Sequence, residues 1–285
     1  MLSYILSGLI PGCAYALLAI GITLTYKTLG VLNFAQTAIG VFGAYIGLEL
    51  ASAGLPQPWA ALVGILAGSA VGVLVGAVMV RWFSEADVQT KSSVTIVFML
   101  GIFAIGARVF GDAPRAAPRL FPNFSLEVGG VFFSAGTIVG LVVAVLVAIA
   151  LTIAQKKTRT GIILAALSER PNTAQLLGVR VGVLAMAVWA LTGALATLGI
   201  TLIMPTRPSN FLVLSLLLLP AIAASLFGVF RHIYLALLGG ITLGVLEALA
   251  TYFDALAPFR QALPFFVVLI ILIWSQRGEV WDAAR

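Results

Sequence analysis

"AQKKTRTGIILAALSERPNTAQLLGVRVG", residues 154–182, carries Lys156, Lys157, Arg159, Glu169, Arg170 and Arg180, yet both of its flanks are free of charge. An uncharged run of 28 residues, Val128 to Gln155, leads into it, and one of 26, Val181 to Thr206, leads away. An α-helix rises about 1.5 Å per residue, so about 20 apolar residues cross the roughly 30 Å hydrocarbon core of a bilayer. Each flank is therefore long enough to span a membrane, and the basic, partly helical stretch between them reads as a loop at one membrane face.

Similar runs recur outward in both directions. Candidate spans lie at about 3–26, 34–51, 58–80, 92–109, 129–154, 181–204, 209–228, 232–253 and 260–276. Of the 285 residues 61% are hydrophobic and 9% charged, against about a quarter charged in soluble domains. The runs are continuous and rich in Leu, Ala, Val and Gly, without the period-2 alternation of outer-membrane barrels. The sequence thus predicts an all-α, polytopic transmembrane helix bundle of eight to nine membrane segments. It forms a single transmembrane domain over 1–285, with a cytoplasmic loop at about 156–180. Segments 34–51 and 209–228 are the candidates for broken or re-entrant helices. The first apolar run has no basic n-region and continues to Tyr26, which predicts a retained first span rather than a cleaved signal peptide.

The formal net charge is +6, and in a membrane protein such an excess is first explained by the positive-inside rule rather than by nucleic acid. With every segment crossing, Lys27, Arg81, Lys91, Lys156, Lys157, Arg159, Arg170, Arg180, Arg231, Arg277 and Arg285 share the face of the basic loop. Arg108, Arg115, Arg119, Arg207 and Arg260 lie opposite, so eleven against five predicts an outside N-terminus and a cytoplasmic C-terminus. The outside stretch 108–130, with Pro114, Pro118 and Pro122, reads as an irregular surface segment open to a partner.

Gly64, Gly68, Gly72 and Gly76 repeat every four residues, and Gly8 with Gly12, Gly43 with Gly47 and Gly240 with Gly244 repeat the pattern. Such spacing lines one helix face with residues that let backbones approach closely. Pro11, Pro220 and Pro264 fall inside predicted spans, where each removes a helical hydrogen bond and predicts a kink or break.

Several kinds of chemistry are excluded. The sequence has no Gly-Lys pair, so it holds no GxxxxGK[ST] phosphate loop, and no nucleotide cofactor is expected on this chain. His232 is the sole histidine and Cys13 the sole cysteine. A Ser-His-Asp triad, an HExxH site, an internal disulfide and a structural metal centre are therefore not expected. Ionisable groups within the bilayer are costly and so are functional candidates. Glu247, in "GGITLGVLEALATYF", is the one placed deep by its position in a span.

Residues 8–45, "GLIPGCAYALLAIGITLTYKTLGVLNFAQTAIGVFGAY", resemble the opening of the branched-chain amino acid ABC transporter permeases, in which an Asn-Phe-Ala turn precedes a Gly-Ala-Tyr helix. Asn33, Phe34, Ala35, Gly43, Ala44 and Tyr45 carry the likeness. "TRTGIILAALSERPNTAQLLGVRV" is similar to the family's cytoplasmic loop through Thr158, Arg159, Gly161, Pro171, Ala174, Leu176 and Gly178, and Arg277 with Gly278 echo its close. Gln36 and Thr37 stand where the family commonly has His-Gly. The usual glycine-rich turn near residue 226 is replaced by "SLFGVFRH".

The resemblance implies a permease subunit of a bacterial ABC importer in the inner membrane. Its implied partners are a second homologous permease, two ATP-binding cassette subunits carrying ATP and Mg, and a periplasmic or lipid-anchored solute-binding protein. The solute would be a branched-chain amino acid or a related amide, urea or carboxylic acid, moved by alternating access. Asn33, Gln36 and Thr37, beside a helix break, are the candidate solute path, with Glu247 behind them. Arg159, Gly161, Pro171, Ala174, Leu176, Leu177 and Gly178 are the candidates for coupling to the ATPase. The stretch 168–178 itself reads as a short helix, with Pro171 in its first turn and Gly178 at its end. A self-sufficient secondary transporter or channel is the competing class, and membrane lipid surrounds the chain in either case.

Overall fold

Helix boundaries fall where the sequence supplies the punctuation for them. The computed structural model describes residues 2–120, 125–128, 131–158, 161, 181–206, 210–253 and 257–282. In chain order the helices are α1 (Leu2–Leu29), α2 (Gln36–Ser52), α3 (Gln57–Trp82), α4 (Val88–Phe110), α5 (Ala135–Lys157), α6 (Val181–Ile203), α7 (Phe211–Ser215), α8 (Leu218–Leu226), α9 (Ile233–Ala250) and α10 (Leu263–Asp282). Among the described residues six helices, α1, α3, α4, α5, α6 and α9, are long and apolar enough to cross a membrane. The segment 34–51 appears as the 17-residue α2. The apolar stretches 211–226 and 263–273 are also shorter than a full span.

Three local features show how sequence sets these limits. Asp87 caps α4, accepting from the Thr90 N–H at 3.0 Å, which satisfies one of the orphan donors of the first turn. The Thr90 hydroxyl and then the Thr90 N–H, both bonding to it, hold the exposed Asp87 carboxyl below its ordinary range. Pro220 divides α7 from α8, because its ring has no N–H for the Leu216 carbonyl and would clash with it in a continuous helix. Pro264 does not behave as the sequence predicted. It is the second residue of α10, where the missing N–H has no helical partner to lose, so it starts a helix instead of kinking one.

The outer stretch before α5 also differs from expectation. Strands β1 (Ser125–Val128) and β2 (Val131–Ser134) pair antiparallel, with Val128 opposite Val131 and Ser125 opposite Ser134. The fifth helix therefore begins at Ala135 and not near 129. Val131, Phe132 and Phe133 favour a strand by their branched and aromatic side chains, a preference that hydropathy alone does not separate from a span.

Small residues fix the packing. α1 runs antiparallel to α9: a Cβ added at Gly8 would lie 2.6 Å from the Gly244 carbonyl, and one at Gly12 would lie 3.0 Å from the Ile241 Cα. α3 meets α6 the same way, and the stripe Gly64 to Gly76 accepts its neighbours side by side. Gly64 faces Gly43 and Gly47 of α2, while Gly76 makes room for Trp189, one of the largest fully buried side chains. Tyr15, Tyr45 and Phe211 complete the core. At one end of the bundle Phe110 and Phe211 stack at 6.0 Å. There Arg115 pairs with Glu49 and lies over the Tyr45 ring. Lys27, Lys156 and Arg231 gather at the opposite end.

The turn into α9 replaces glycine with residues that resist its geometry. Val229 has φ 47° and Phe230 φ 55°, and the turn is closed by Phe230 N–H to Ser225 O at 3.1 Å and Arg231 N–H to Gly228 O at 2.8 Å. Left-handed backbone costs an L-residue roughly 1–2 kcal/mol, and glycine's extra unfolded-state entropy returns roughly 0.4–1 kcal/mol of that. Val229→Gly should therefore stabilise the protein by about 0.5–1 kcal/mol. A thermal melt in detergent checks this, and a lowered melting temperature would contradict the left-handed turn.

Candidate solute path at a buried helix break

α1 ends at Leu29, and Gly30, with φ 64°, supplies the left-handed residue that turns the chain back. Residues 31–35 are not helical, so their backbone needs partners that lipid cannot provide. Ser92 and Thr95 of α4 supply them. The Leu32 N–H donates to Ser92 Oγ at 3.2 Å, the Phe34 N–H donates to Thr95 Oγ1 at 3.0 Å, and Thr95 Oγ1 donates to the Leu32 carbonyl at 3.1 Å. These two side chains stand three residues apart, on one face of α4.

α2 then starts inside the bundle. Gln36, its first residue, packs against Gly21, whose absent side chain leaves room for the Gln36 amide. Gly21 lies about 12 Å along α1 from Leu29, at about 1.5 Å per residue. Gln36 Nε2 donates to the Thr192 carbonyl at 2.8 Å, near the middle of α6. Asn33 Nδ2 donates to Gln36 Oε1 at 2.9 Å. Asn33, Gln36 and Thr37 are 2%, 0% and 0% exposed, so the polar group is enclosed by apolar helices. Asn33 Oδ1 and Thr37 Oγ1 are buried without a hydrogen-bond partner. An unpaired buried polar atom costs about 1–3 kcal/mol, and the positive end of the α2 dipole lies at the same break. The arrangement can offer hydroxyl and amide groups to a dehydrated polar solute, as broken helices do.

Glu247 does not stand behind this group. Its Oε2 accepts from the Tyr15 hydroxyl at 2.8 Å. It lines a cleft of about 350 Å³ with Ser7, Pro11, Thr206 and Arg260, three residues from the end of α9. Glu247 is partly exposed and lies toward the bundle end opposite Lys27.

Of the candidate coupling residues, Gly161 is described: its N–H donates to Thr158 Oγ1 at 3.0 Å, and a Cβ there would collide with the Ala154 carbonyl. Gly161 thus lies against the end of α5. Arg159, Pro171, Ala174, Leu176, Leu177 and Gly178 lie outside the described residues, as does the short helix expected there. Sequence reasoning missed Ser92, Thr95, Gly21 and Thr192. The Ser/Thr spacing of three in "KSSVTIVFML" was a usable signal, since hydroxyls on an otherwise apolar helix face need a partner.

A family model described as branched-chain amino acid transport system / permease component matches residues 4–272. A probable branched-chain amino acid transport permease protein LivH of Methanocaldococcus jannaschii is 30% identical over 262 residues, 90% of this chain and 83% of that protein. The high-affinity branched-chain amino acid transport system permease protein LivH of Escherichia coli K12 is 27% identical over 299 residues, 97% of this chain and 94% of that protein. BraD of Pseudomonas aeruginosa, another permease protein of a high-affinity branched-chain amino acid transport system, is 27% identical over 296 residues with the same coverage. PsaBC from Streptococcus pneumoniae in complex with Fab aligns at 14% identity and a TM-score of 0.49, covering 94% of this chain and 89% of that one, a likeness too loose to bear on function. The family match runs from α1 into α10 and takes in both the helix break and the basic loop, and the chain belongs to the permease component family of branched-chain amino acid transport systems.

Proposed function

We propose that the chain is the membrane-spanning subunit of a bacterial ABC importer in the inner membrane, moving a branched-chain amino acid by alternating access. The observation that carries this reading is the buried break at 30–35, with Asn33 Oδ1 and Thr37 Oγ1 uncommitted at the start of α2. The site is closed on all sides here, so passage requires a second arrangement of the bundle. The sequence supplies no phosphate loop, so two partner ATPases would bring ATP and Mg. A second homologous permease would complete the pathway, and an external solute-binding protein would deliver the solute. Relatives named as branched-chain amino acid permeases favour that solute over urea, amides or other carboxylic acids.

Reconstitution with candidate ATPases, a second permease and a solute-binding protein from the same organism tests the reading. ATP-dependent accumulation of labelled leucine, with little of urea or benzoate, is expected. Accumulation by this chain alone under an imposed ion gradient would establish the competing carrier reading.

The end that gathers Lys27, Lys156 and Arg231 is read as cytoplasmic, with the N-terminus outside. With buried Cys13 replaced by Ala, Ser84→Cys, in the exposed turn after α3, should label only from the cytoplasm. Ala113→Cys, beyond α4, should label only from outside. Labelling of both from one side would overturn the drawing.

Residues 168–178 are read as the helix that docks on the ATPase. Such a helix is marginal alone and is held by the cleft it enters, so Ala174→Trp should leave insertion intact and abolish ATPase co-purification. Wild-type co-purification and coupled hydrolysis would reduce the stretch to a basic loop.

A further inference from the structure

Below the strained turn that joins α8 to α9, a cleft of about 220 Å³ is lined by Lys27 of α1, Thr152, Gln155 and Lys156 of α5, and Arg231 and His232 at the start of α9. No carboxylate is among its described lining residues. Among the described residues three cations converge without a counter-charge, an arrangement that is favourable only when an anion joins it. The amide of Gln155 gives independent support. Lys27 Nζ donates to Gln155 Oε1 at 2.8 Å, and because an ammonium can only donate, this fixes which way the amide faces. Gln155 Nε2 is then left buried with no acceptor. The left-handed Val229 and Phe230 place Arg231 and His232 at the same cleft, and backbone strain of this kind persists where the surroundings require a particular geometry.

The walls of the cleft continue as apolar surface. On α5, Ile149 and Ile153 precede Lys156 at helical spacing and are exposed, as is Leu146. On α9, Tyr234, Leu235 and Leu238 form the matching exposed stripe. A soluble anion would use the cationic mouth alone, whereas a ligand with a charged head and hydrocarbon tails would cover both surfaces. We propose that this cleft binds the phosphate of an anionic phospholipid, with Lys27, Lys156, Arg231 and the Gln155 amide donating to the headgroup and the acyl chains lying along α5 and α9. The inference needs the membrane-spanning fold and no ATPase, so its failure is distinct from a failure of the transport reading.

The test is native mass spectrometry of the full-length chain in detergent, titrated with palmitoyl-oleoyl phosphatidylglycerol or the matching phosphatidylcholine. The phosphatidylglycerol should be retained on the order of a hundredfold more tightly, since three basic groups face the headgroup and each is worth about a fivefold change in affinity. Lys156→Gln combined with Arg231→Gln alters two exposed side chains, keeps the fold by circular dichroism, and should weaken that lipid by on the order of twentyfold. Gln155→Leu should weaken it as well, and Arg260→Gln at the far end should not. Equal retention of the two lipids, a double variant that binds like wild type, or an equal loss in Arg260→Gln would each overturn the site. Displacement of the lipid by millimolar inorganic phosphate would show a soluble-phosphate site and overturn the lipid assignment.

Discussion

Gly244→Leu should prevent α1 and α9 from packing and leave little folded protein to purify, while Gly101→Leu should melt like wild type. A Cβ at Gly244 would collide with the backbone N and Cα of Gly12 and crowd the Gly8 carbonyl. None of these atoms belongs to a side chain that can rotate away. Overfilling a core whose side chains can yield costs about 1–3 kcal/mol; here helix must move from helix, so the cost should reach about 3 kcal/mol or more, against a total stability of roughly 5–15 kcal/mol. Helix association in lipid depends on such close packing more than on hydrophobic burial. Displacing α1 would also break the Tyr15 to Glu247 hydrogen bond and the Ser225 Oγ to Ala19 carbonyl bond of 3.1 Å. At Gly101 nothing lies within 4 Å of the added Cβ, so the same substitution there controls for effects on insertion. Purification yield and the melting temperature in detergent are the readouts. A Gly244→Leu protein with normal yield and melting would mean that α1 and α9 do not touch.

The contrast between these glycines shows what the sequence could and could not disclose. The Gly-x-x-x-Gly spacing told which helices present a small face, and those faces do make the contacts. It did not tell which helix each face meets, because the partner is chosen by the fold of the whole chain. The long apolar runs likewise became helices, and segments 34–51 and 209–228, singled out as candidates for interruption, became a buried short helix and a pair divided near Pro220. Depth was harder to read. Glu247 sits in an apolar run but near a helix end, and Val131 to Ser134 sit in an apolar run but form a strand, since hydropathy measures length and polarity without position. At the break, Asn33, Gln36 and Thr37 were legible as polar residues in apolar surroundings, and the structure brings them together. What pins them, Ser92, Thr95 and Thr192, comes from segments 60 to 160 residues away and is decided by tertiary packing.

That packing decides which substitution can test the solute path. Asn33→Leu would leave the Gln36 side-chain oxygen without its donor, and Gln36→Leu would leave the Asn33 amide without its acceptor and remove the second bond to the Thr192 carbonyl, which lies within α6. Either should cost about 1–3 kcal/mol in folding, so their loss of uptake would mix structure with transport. Thr37 is different, because its hydroxyl is buried and forms no hydrogen bond. Thr37→Val keeps the shape and removes an unpaired polar atom, so stability should hold or rise by up to about 1 kcal/mol. If the hydroxyl meets the solute during passage, the dehydrated solute loses a hydrogen bond worth about 1.4 kcal/mol, and transport slows about tenfold. The expected result is therefore a protein that melts at or above the wild-type temperature, assembles with its ATPases, and accumulates leucine about tenfold more slowly at limiting solute. Thr37→Ser, which retains the hydroxyl, should recover most of the rate. Wild-type uptake by Thr37→Val would move the path away from the α2 break, whatever Asn33→Leu and Gln36→Leu do.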